Sequence, residues 1–355
     1  MTQIEQEWLI SLPMSKARLA LFPFAIFYDC ITRFKNYLYN KKILSSSSFD
    51  IPIIVIGNLA IGGTGKTPHT EFMANFLKSK FAVAVLSRGY GRKTKGYLSA
   101  TSASTSQQIG DEPLQIFNSV SGIDVAVCED RTKGVNELIQ TKKPEVIILD
   151  DAFQHRKITG SLYILLTTYS KMFYDDFVLP AGDLREASSN KNRADIIIVS
   201  KCPADLGFLE KKIITEKIGP KPQQKVYFSC IKYLKPKIIC GGGPWQNNQT
   251  IVLVTGVVNP QPLKDHLEKM GTEVQLMKFA DHHNYTDLDV LLVEEKLKTA
   301  GKNSVLVTTS KDAVKLKPLI ENKDIHAYEI PIQIEFLFQE ENDFSQYLIE
   351  HVRKV

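Results

Sequence analysis

The residues best suited to chemistry in this chain are a lysine and a threonine that close a glycine-rich turn. Ile53-Ile54-Val55-Ile56-Gly57-Asn58 reads as a strand, Leu59-Ala60-Ile61-Gly62-Gly63-Thr64-Gly65 as a turn, and Lys66-Thr67-Pro68 as the start of a helix that tolerates Pro68. In that setting the backbone N–H groups of Gly62, Gly63, Thr64 and Gly65 point at one anion, and the helix N-terminus adds partial positive charge. Lys66 then reaches the β and γ phosphates of a nucleotide, and Thr67 ligates magnesium. Strict motif spacing asks for glycine at position 60, where this chain has Ala60. The remaining glycines, the lysine and the threonine keep their places, so the mechanics survive the departure.

Phosphate held this way needs a metal-side carboxylate near it. Val146-Ile147-Ile148-Leu149 is an apolar run that ends in Asp150-Asp151, and an acid at the end of such a strand lies beside phosphate-bound magnesium. The expected division puts Asp150 on the metal or its water shell and Asp151 close by. Phosphoryl transfer also requires a base for the acceptor hydroxyl and cations for the transferring group. Asp111 in Gly110-Asp111-Glu112-Pro113 serves either as that base or as a helix cap. Arg88, Arg131 and Arg185 are phosphate clamps or solvated surface residues. Asp281-His282-His283 has no evident third ligand for zinc, and adjacent histidines of an extended chain face opposite ways. A histidine supporting a carboxylate base and an ordinary polar loop both remain open there.

The elements that must hold these residues follow from Ile51 onward, where short β-rich runs alternate with helical segments. This is the pattern of a parallel α/β sheet. Strands are expected at 51–56, 82–86, 124–128, 146–149, 162–166 and 196–199, and in a second unit at 251–255, 274–277, 305–308 and 325–330. Ser45-Ser46-Ser47-Ser48 reads as a linker, as does the Lys/Pro/Gln-rich stretch at 220–225. The expected fold is therefore α/β, a P-loop NTPase-type mostly parallel sheet with a second, smaller α/β domain and an N-terminal membrane-associating helix. Its boundaries are 1–48 for the helix, 49–224 for the P-loop domain and 225–355 for the C-terminal domain.

Residues 1–48 differ in composition from the rest. Between Met14 and Leu44 only Asp29 opposes Lys16, Arg18, Arg33, Lys35, Lys41 and Lys42, while Phe22, Phe24, Phe27, Tyr28, Phe34 and Tyr37 are available to an apolar face. Such a helix either rests in a membrane interface, rings in the headgroup boundary and cations on anionic lipid, or packs on the protein itself. No stretch approaches the roughly 20 apolar residues of a spanning helix, and no secretory leader pattern is evident. The formal charge of +5 over 355 residues gives no argument for nucleic acid. Five scattered cysteines without a Cys-x-x-Cys pair fit a reducing compartment.

Taken in order, the glycine-rich segment through Pro68, Ser87-Arg88-Gly89-Tyr90-Gly91, Gly110-Asp111-Glu112-Pro113, Asp150-Asp151-Ala152-Phe153-Gln154-His155-Arg156, Leu179-Pro180-Ala181-Gly182, Leu184-Arg185-Glu186, Asp281-His282-His283 and Thr309-Ser310-Lys311-Asp312 through Leu316 resemble the tetraacyldisaccharide 4′-kinase family of lipid A synthesis. The resemblance implies phosphorylation by ATP, with Mg2+, of the 4′-hydroxyl of an acylated disaccharide 1-phosphate lipid, forming lipid IVA. It places the enzyme peripherally on the cytoplasmic face of the inner membrane, and so favours the membrane surface as the partner of the N-terminal helix. It makes Asp111 the base with His282 as its partner, Lys66 and Thr67 the nucleotide and magnesium residues, and Asp150 and Asp151 the metal-side acids. It sets Glu112, Arg131 and Arg185 on magnesium or phosphate oxygens. Ala152 replaces the family's usual glycine, which bears on local loop shape. The rival readings are a P-loop NTPase switch, which lacks a guanine-reading Asn/Thr-Lys-x-Asp segment here, and a soluble sugar or nucleoside kinase.

Overall fold

The computed structural model describes residues 18, 20–246, 249–301 and 303–354. The part of the N-terminal expectation that falls on residues 1–17 and 19 lies outside them. In chain order the elements are α1 (Phe22–Asn40), β1 (Ile53–Asn58), α2 (Lys66–Leu77) and β2 (Val83–Ser87), then β3 (Leu98–Ser99), a single turn α3 (Ser106–Ile109), α4 (Asp111–Ser119) and β4 (Asp124–Val127). There follow α5 (Arg131–Lys142), β5 (Val146–Leu149), β6 (Leu162–Thr168), β7 (Ile196–Ser200), α6 (Phe208–Ile218) and β8 (Lys225–Tyr233). The chain continues through β9 (Lys237–Cys240), β10 (Thr250–Thr255), α7 (Gln261–Lys269), β11 (Val274–Lys278), α8 (Asp287–Ala300), β12 (Ser304–Thr309), α9 (Ser310–Ile320) and β13 (Ala327–Ile330). It closes with β14 (Ile332–Phe336) and α10 (Glu341–Lys354).

These elements form two compact units. The first takes the chain up to Arg88, Asp130–Ile231 and Ile334 onward; the second takes Gly89–Glu129 and Lys232–Gln333. The boundaries expected at 48/49 and 224/225 do not coincide with this grouping. Residues 89–129 join the later unit and the last strand and helix return to the earlier one, because the contacts that decide membership span more than a hundred residues. The stretch at 220–225 does not separate units either. It leads directly into β8, which runs parallel to β7 through pairs such as Ile197↔Val226. Nor is the serine run a free linker, since the Ser47 N–H donates to the Lys157 carbonyl (2.8 Å) and the Ser46 hydroxyl to that of Arg156 (2.6 Å).

Within the first unit the strands lie in the order β14-β8-β7-β6-β1-β5-β2, with parallel pairing from β8 to β2. All residues of β1, β2, β5 and β7 are buried, as continuous Ile/Val/Leu runs covered on both faces must be. The register Val55↔Leu149 brings the carboxyl ends of β1 and β5 side by side, and in open α/β sheets that edge is where ligands bind. The C-terminal return is held by aromatic packing. Phe344 stacks on Phe336 at 4.5 Å and meets Tyr227 edge-on at 5.3 Å, and burying a ring of this kind contributes about 1.5–3 kcal/mol.

In the second unit five strands lie in the order β11-β10-β12-β13-β9, parallel apart from the antiparallel β13–β9 pair. The insertion contributes the antiparallel β3–β4 pair and α4. Ile109, Leu114 and Val127 form a buried cluster against which Val314 of α9 packs, and this contact sets the distance between the start of α4 and the first turns of α9.

Helix α1 sorts its side chains by face. Phe24, Phe27, Ile31 and Phe34, spaced three and four apart, are more than half exposed, whereas Ala25 and Asn36 are buried. Tyr28, one of the rings available to an apolar face, turns inward and donates its hydroxyl to the Arg185 carbonyl at 3.0 Å. Asn36 donates to the Glu186 carboxylate at 3.3 Å and accepts from Arg156. Among the described residues no helix is long and apolar enough to cross a membrane.

Candidate active site

The phosphate loop is built at the carboxyl end of β1. Gly62 and Gly65 take φ values of 104° and 86°, a region that side-chain-bearing residues adopt only at a cost, and Gly65 is the residue from which α2 starts. Each carbonyl from position 62 to 65 accepts a hydrogen bond from the protein. The Thr64 N–H donates to Gly62 O (3.0 Å), Lys201 Nζ to Gly63 O (2.6 Å), the Ser200 hydroxyl to Thr64 O (2.8 Å) and His69 Nδ1 to Gly65 O (2.7 Å). His69 is fully enclosed, and burial pulls its pKa down to about 4, so the ring is neutral. Nδ1 carries the proton given to Gly65, and Nε2 accepts from the Ser229 hydroxyl at 3.0 Å. Ala60 is explained by its neighbours. It forms an antiparallel bridge with Leu184, flanked by Arg185 N–H to Leu59 O (2.7 Å) and Ile61 N–H to Asp183 O (2.8 Å), and an extended position of that kind suits alanine as well as glycine.

Lys66, at the first residue of α2, holds its ammonium 3.4 Å from Asn58 Oδ1 and 3.6 Å from Asp151 Oδ1. Arg185 Nη1 lies 3.3 Å from both oxygens of the same carboxylate. Burial works against ionising Asp151, but Lys66 and Arg185 together hold its carboxyl below the usual carboxylate range. Asp151 has a φ of 47°, whereas Ala152 stays out of the left-handed region, so alanine is accommodated at that position. Asp150 is wholly buried and accepts from the Thr70 hydroxyl at 3.1 Å. Arg131, 2% exposed, places Nη2 at 3.4 Å from the Asp150 carbonyl. Arg88 is exposed. Among the described residues no group of three His, Cys, Asp or Glu is placed to hold a metal. Thr67, Asp150 and Asp151 offer hydroxyl and carboxylate oxygens only, which suits magnesium, an ion that takes one or two carboxylates and fills its shell with phosphate oxygens and water.

The second unit assembles another cluster. Asp111 opens α4 but is not its cap; Gly110, with φ 93°, holds that position. Asp111 Oδ1 accepts the Glu112 N–H at 3.0 Å, and Oδ2 lies 2.9 Å from His282 Nδ1 and 3.4 Å from Lys315 Nζ. Burial raises the cost of ionising Asp111, yet the His282 hydrogen bond and the Lys311 and Lys315 charges hold its carboxyl well below the ordinary range. His282 sits at φ 57°, a left-handed conformation that persists in a non-glycine residue only where its surroundings enforce it. Its neighbour His283 turns to Asp289 instead, at 3.0 Å, so the adjacent pair does face two ways. Asp312 fixes the end of β10 to α9, accepting from the Thr255 hydroxyl (2.8 Å), the Gly256 N–H (3.1 Å) and the Thr309 hydroxyl (2.9 Å).

The structure thus brings Lys66, Asp151 and Arg185 together, with Asp150 and Arg131 adjoining, and separately brings Asp111 to His282. Glu112 belongs to the second unit and Thr67 to the first. Reading of the sequence assigned no role to Asn58, Thr70, His69, Lys311 or Lys315. The two lysines carried a signal, since residues four apart share one helix face.

A phosphate loop whose lysine rests on Asp151 just past the adjacent strand, on a mostly parallel sheet, defines a P-loop nucleotide-binding protein. The family model for tetraacyldisaccharide-1-P 4′-kinases matches residues 17–353. A curated tetraacyldisaccharide 4′-kinase of Bacteroides fragilis is 41% identical, with 94% of this chain and 93% of that protein covered; one of Flavobacterium johnsoniae is 38% identical, covering 96% and 99%. The crystal structure of LpxK from Aquifex aeolicus in complex with ATP superposes with a TM-score of 0.74 at 28% identity, covering 94% of this chain and 99% of that one. The chain belongs to the tetraacyldisaccharide-1-P 4′-kinase family.

Proposed function

We propose that the protein transfers the γ-phosphoryl group of ATP to the 4′-hydroxyl of a tetraacyldisaccharide 1-phosphate, forming lipid IVA, at the cytoplasmic face of the inner membrane. The observation that carries the reading is Lys66 held against Asp151 at the carboxyl ends of adjacent strands; the acceptor follows from the family. Lys66 and the N–H groups of Gly62, Gly63 and Gly65 bind the nucleotide phosphates, and Arg185 and Arg131 orient and neutralise the transferring group. Thr67, Asp150 and Asp151 are the residues that would hold magnesium, which when bound neutralises charge on the β and γ phosphates.

Asp111 receives the hydroxyl proton. Its Oδ2 already faces two side-chain donors while Oδ1 faces a single backbone N–H, so Oδ1 is the oxygen with room for it. The low proton affinity of Asp111 suits a transfer in which bond breaking to the leaving group runs ahead of nucleophile deprotonation. Incubation with γ-labelled ATP and acylated disaccharide 1-phosphate should place label on the lipid; label only in inorganic phosphate would overturn the assignment in favour of a nucleotide hydrolase.

The exposed ring stripe of α1, with Arg33, Lys35, Lys41 and Lys42 on the same segment, is the membrane-contacting surface. Each ring moved out of water contributes about 1.5–3 kcal/mol. Replacing Phe24, Phe27 and Phe34 together by serine is therefore expected to cut co-sedimentation with anionic liposomes at least ~10-fold, leaving the unfolding transition in place. Unchanged sedimentation would remove α1 as the contact.

A further inference from the structure

The reading of Asp111 as the base leaves open what fixes its partner. His282 Nδ1 lies 2.9 Å from Asp111 Oδ2, and the far nitrogen of the same ring, Nε2, lies 3.2 Å from Lys311 Nζ. Lys311 is itself anchored by Asp281 Oδ1 at 2.9 Å. An ammonium has only protons to offer, so the short contact to Nε2 is a hydrogen bond only when that nitrogen presents its lone pair. A protonated Nε2 would set two donors 3.2 Å apart with no acceptor between them. We propose that Lys311 is a positioning residue which, by occupying His282 Nε2, confines the ring proton to Nδ1 and aims it at Asp111. This inference rests on the dyad assignment above and adds to it the group that selects the tautomer.

Three further observations bear on it. Lys311 is in the first turn of α9, where a cation opposes the helix dipole, so helix stability does not account for its presence. Its ammonium is retained despite burial, because Glu112, Asp281 and Asp111 raise its pKa. The groups that face His282 are Asp111 from α4, Asp281 from its own loop, Lys311 from α9 and the Tyr90 ring at 5.4 Å, while Lys315 of α9 reaches Asp111. Burial and Lys311 oppose a second proton on the ring, but the hydrogen bond to Asp111 and the charges of Asp111 and Asp281 outweigh them and raise the His282 pKa. Lys311 is the one among them that touches Nε2 as a donor. With Nε2 taken, the imidazole cannot compete for the acceptor's proton, which leaves Asp111 to receive it.

Long-range proton–nitrogen correlation spectra of the intact protein labelled with 15N-histidine read the ring directly. At a pH above the raised His282 pKa the expected wild-type spectrum shows His282 protonated at Nδ1 and bare at Nε2. In Lys311→Met the bare Nε2 signal should be lost as that nitrogen gains a proton, with kcat lowered about 10-fold and the KM for ATP within about 2-fold. Lys311→Arg, which restores a cationic donor, should return both the tautomer and most of the rate. A wild-type ring protonated at Nε2, or a Lys311→Met spectrum identical to wild type, would overturn the proposal. The wild-type spectrum decides even if the methionine variant does not fold. It also decides whether or not Asp111→Asn retains turnover, so failure of the base assignment is told apart from failure of this one.

Discussion

Asp111→Asn should lower kcat by about 10³-fold while changing ATP affinity by no more than about 2-fold. Asparagine has nearly the volume of aspartate and keeps an oxygen for the Glu112 N–H, so α4 loses little. It leaves that oxygen an amide carbonyl, too weakly basic to take the hydroxyl proton, and removes the charge against which His282 and Lys315 are set. The split between kcat and nucleotide binding is diagnostic because a base contributes when the acceptor oxygen attacks, not when ATP docks. Single-turnover transfer of label measured beside equilibrium nucleotide binding gives both numbers. Turnover near wild type would mean that Asp111 merely supports the loop. The pH profile supplies a second check. A carboxyl held well below its ordinary range stays ionised through the neutral and mildly acidic region, so no acid limb of activity from Asp111 is expected near its unfolded pKa. For the same reason the stability it contributes is present above that pKa and is lost only as pH falls through the depressed folded value.

Lys66→Met should reduce kcat by about 10³-fold and weaken ATP binding as well, because Lys66 touches the same phosphates before and during transfer. Methionine retains an apolar stem of similar length for α2. Asp151 would lose one of its two cations but keep Arg185 at 3.3 Å, so the fold should survive with a shallow loss of stability. The contrast with Asp111→Asn is the informative part, since one variant separates binding from chemistry and the other does not. A Lys66→Met protein with intact kcat would place the γ-phosphate on some other cation.

Much of this was legible in the amino-acid order. Runs such as Val146 to Leu149 can only be two-sided strands, and the glycine-rich turn between Asn58 and Lys66 has few alternatives. Local patterns therefore located the ten strands expected from Ile51 onward to within a few residues. What escaped was whatever depends on distance along the chain. Asp111 and His282 are separated by 171 residues, and nothing in either segment names the other; only the order of motifs resembling a known family linked them. Residues 89–129 carry no compositional mark of the unit they join. The strand β8 was hidden behind the proline and lysines that precede it. Lys311 and Lys315 stood in a recognised segment yet looked like ordinary surface cations, because their function lies in which atoms they reach.

The loop carbonyls from Gly62 to Gly65 are each engaged by a group belonging to the protein itself. Since a peptide unit points its two poles in opposite directions, fixing the oxygens constrains the amide dipoles before any nucleotide arrives. The conformational entropy of ordering a glycine-rich segment, roughly 1–2 kcal/mol per residue, is thus met when the chain folds. Nucleotide binding is relieved of that cost, and the enclosed imidazole of His69, neutral and unresponsive to physiological pH, keeps the arrangement the same from one turnover to the next.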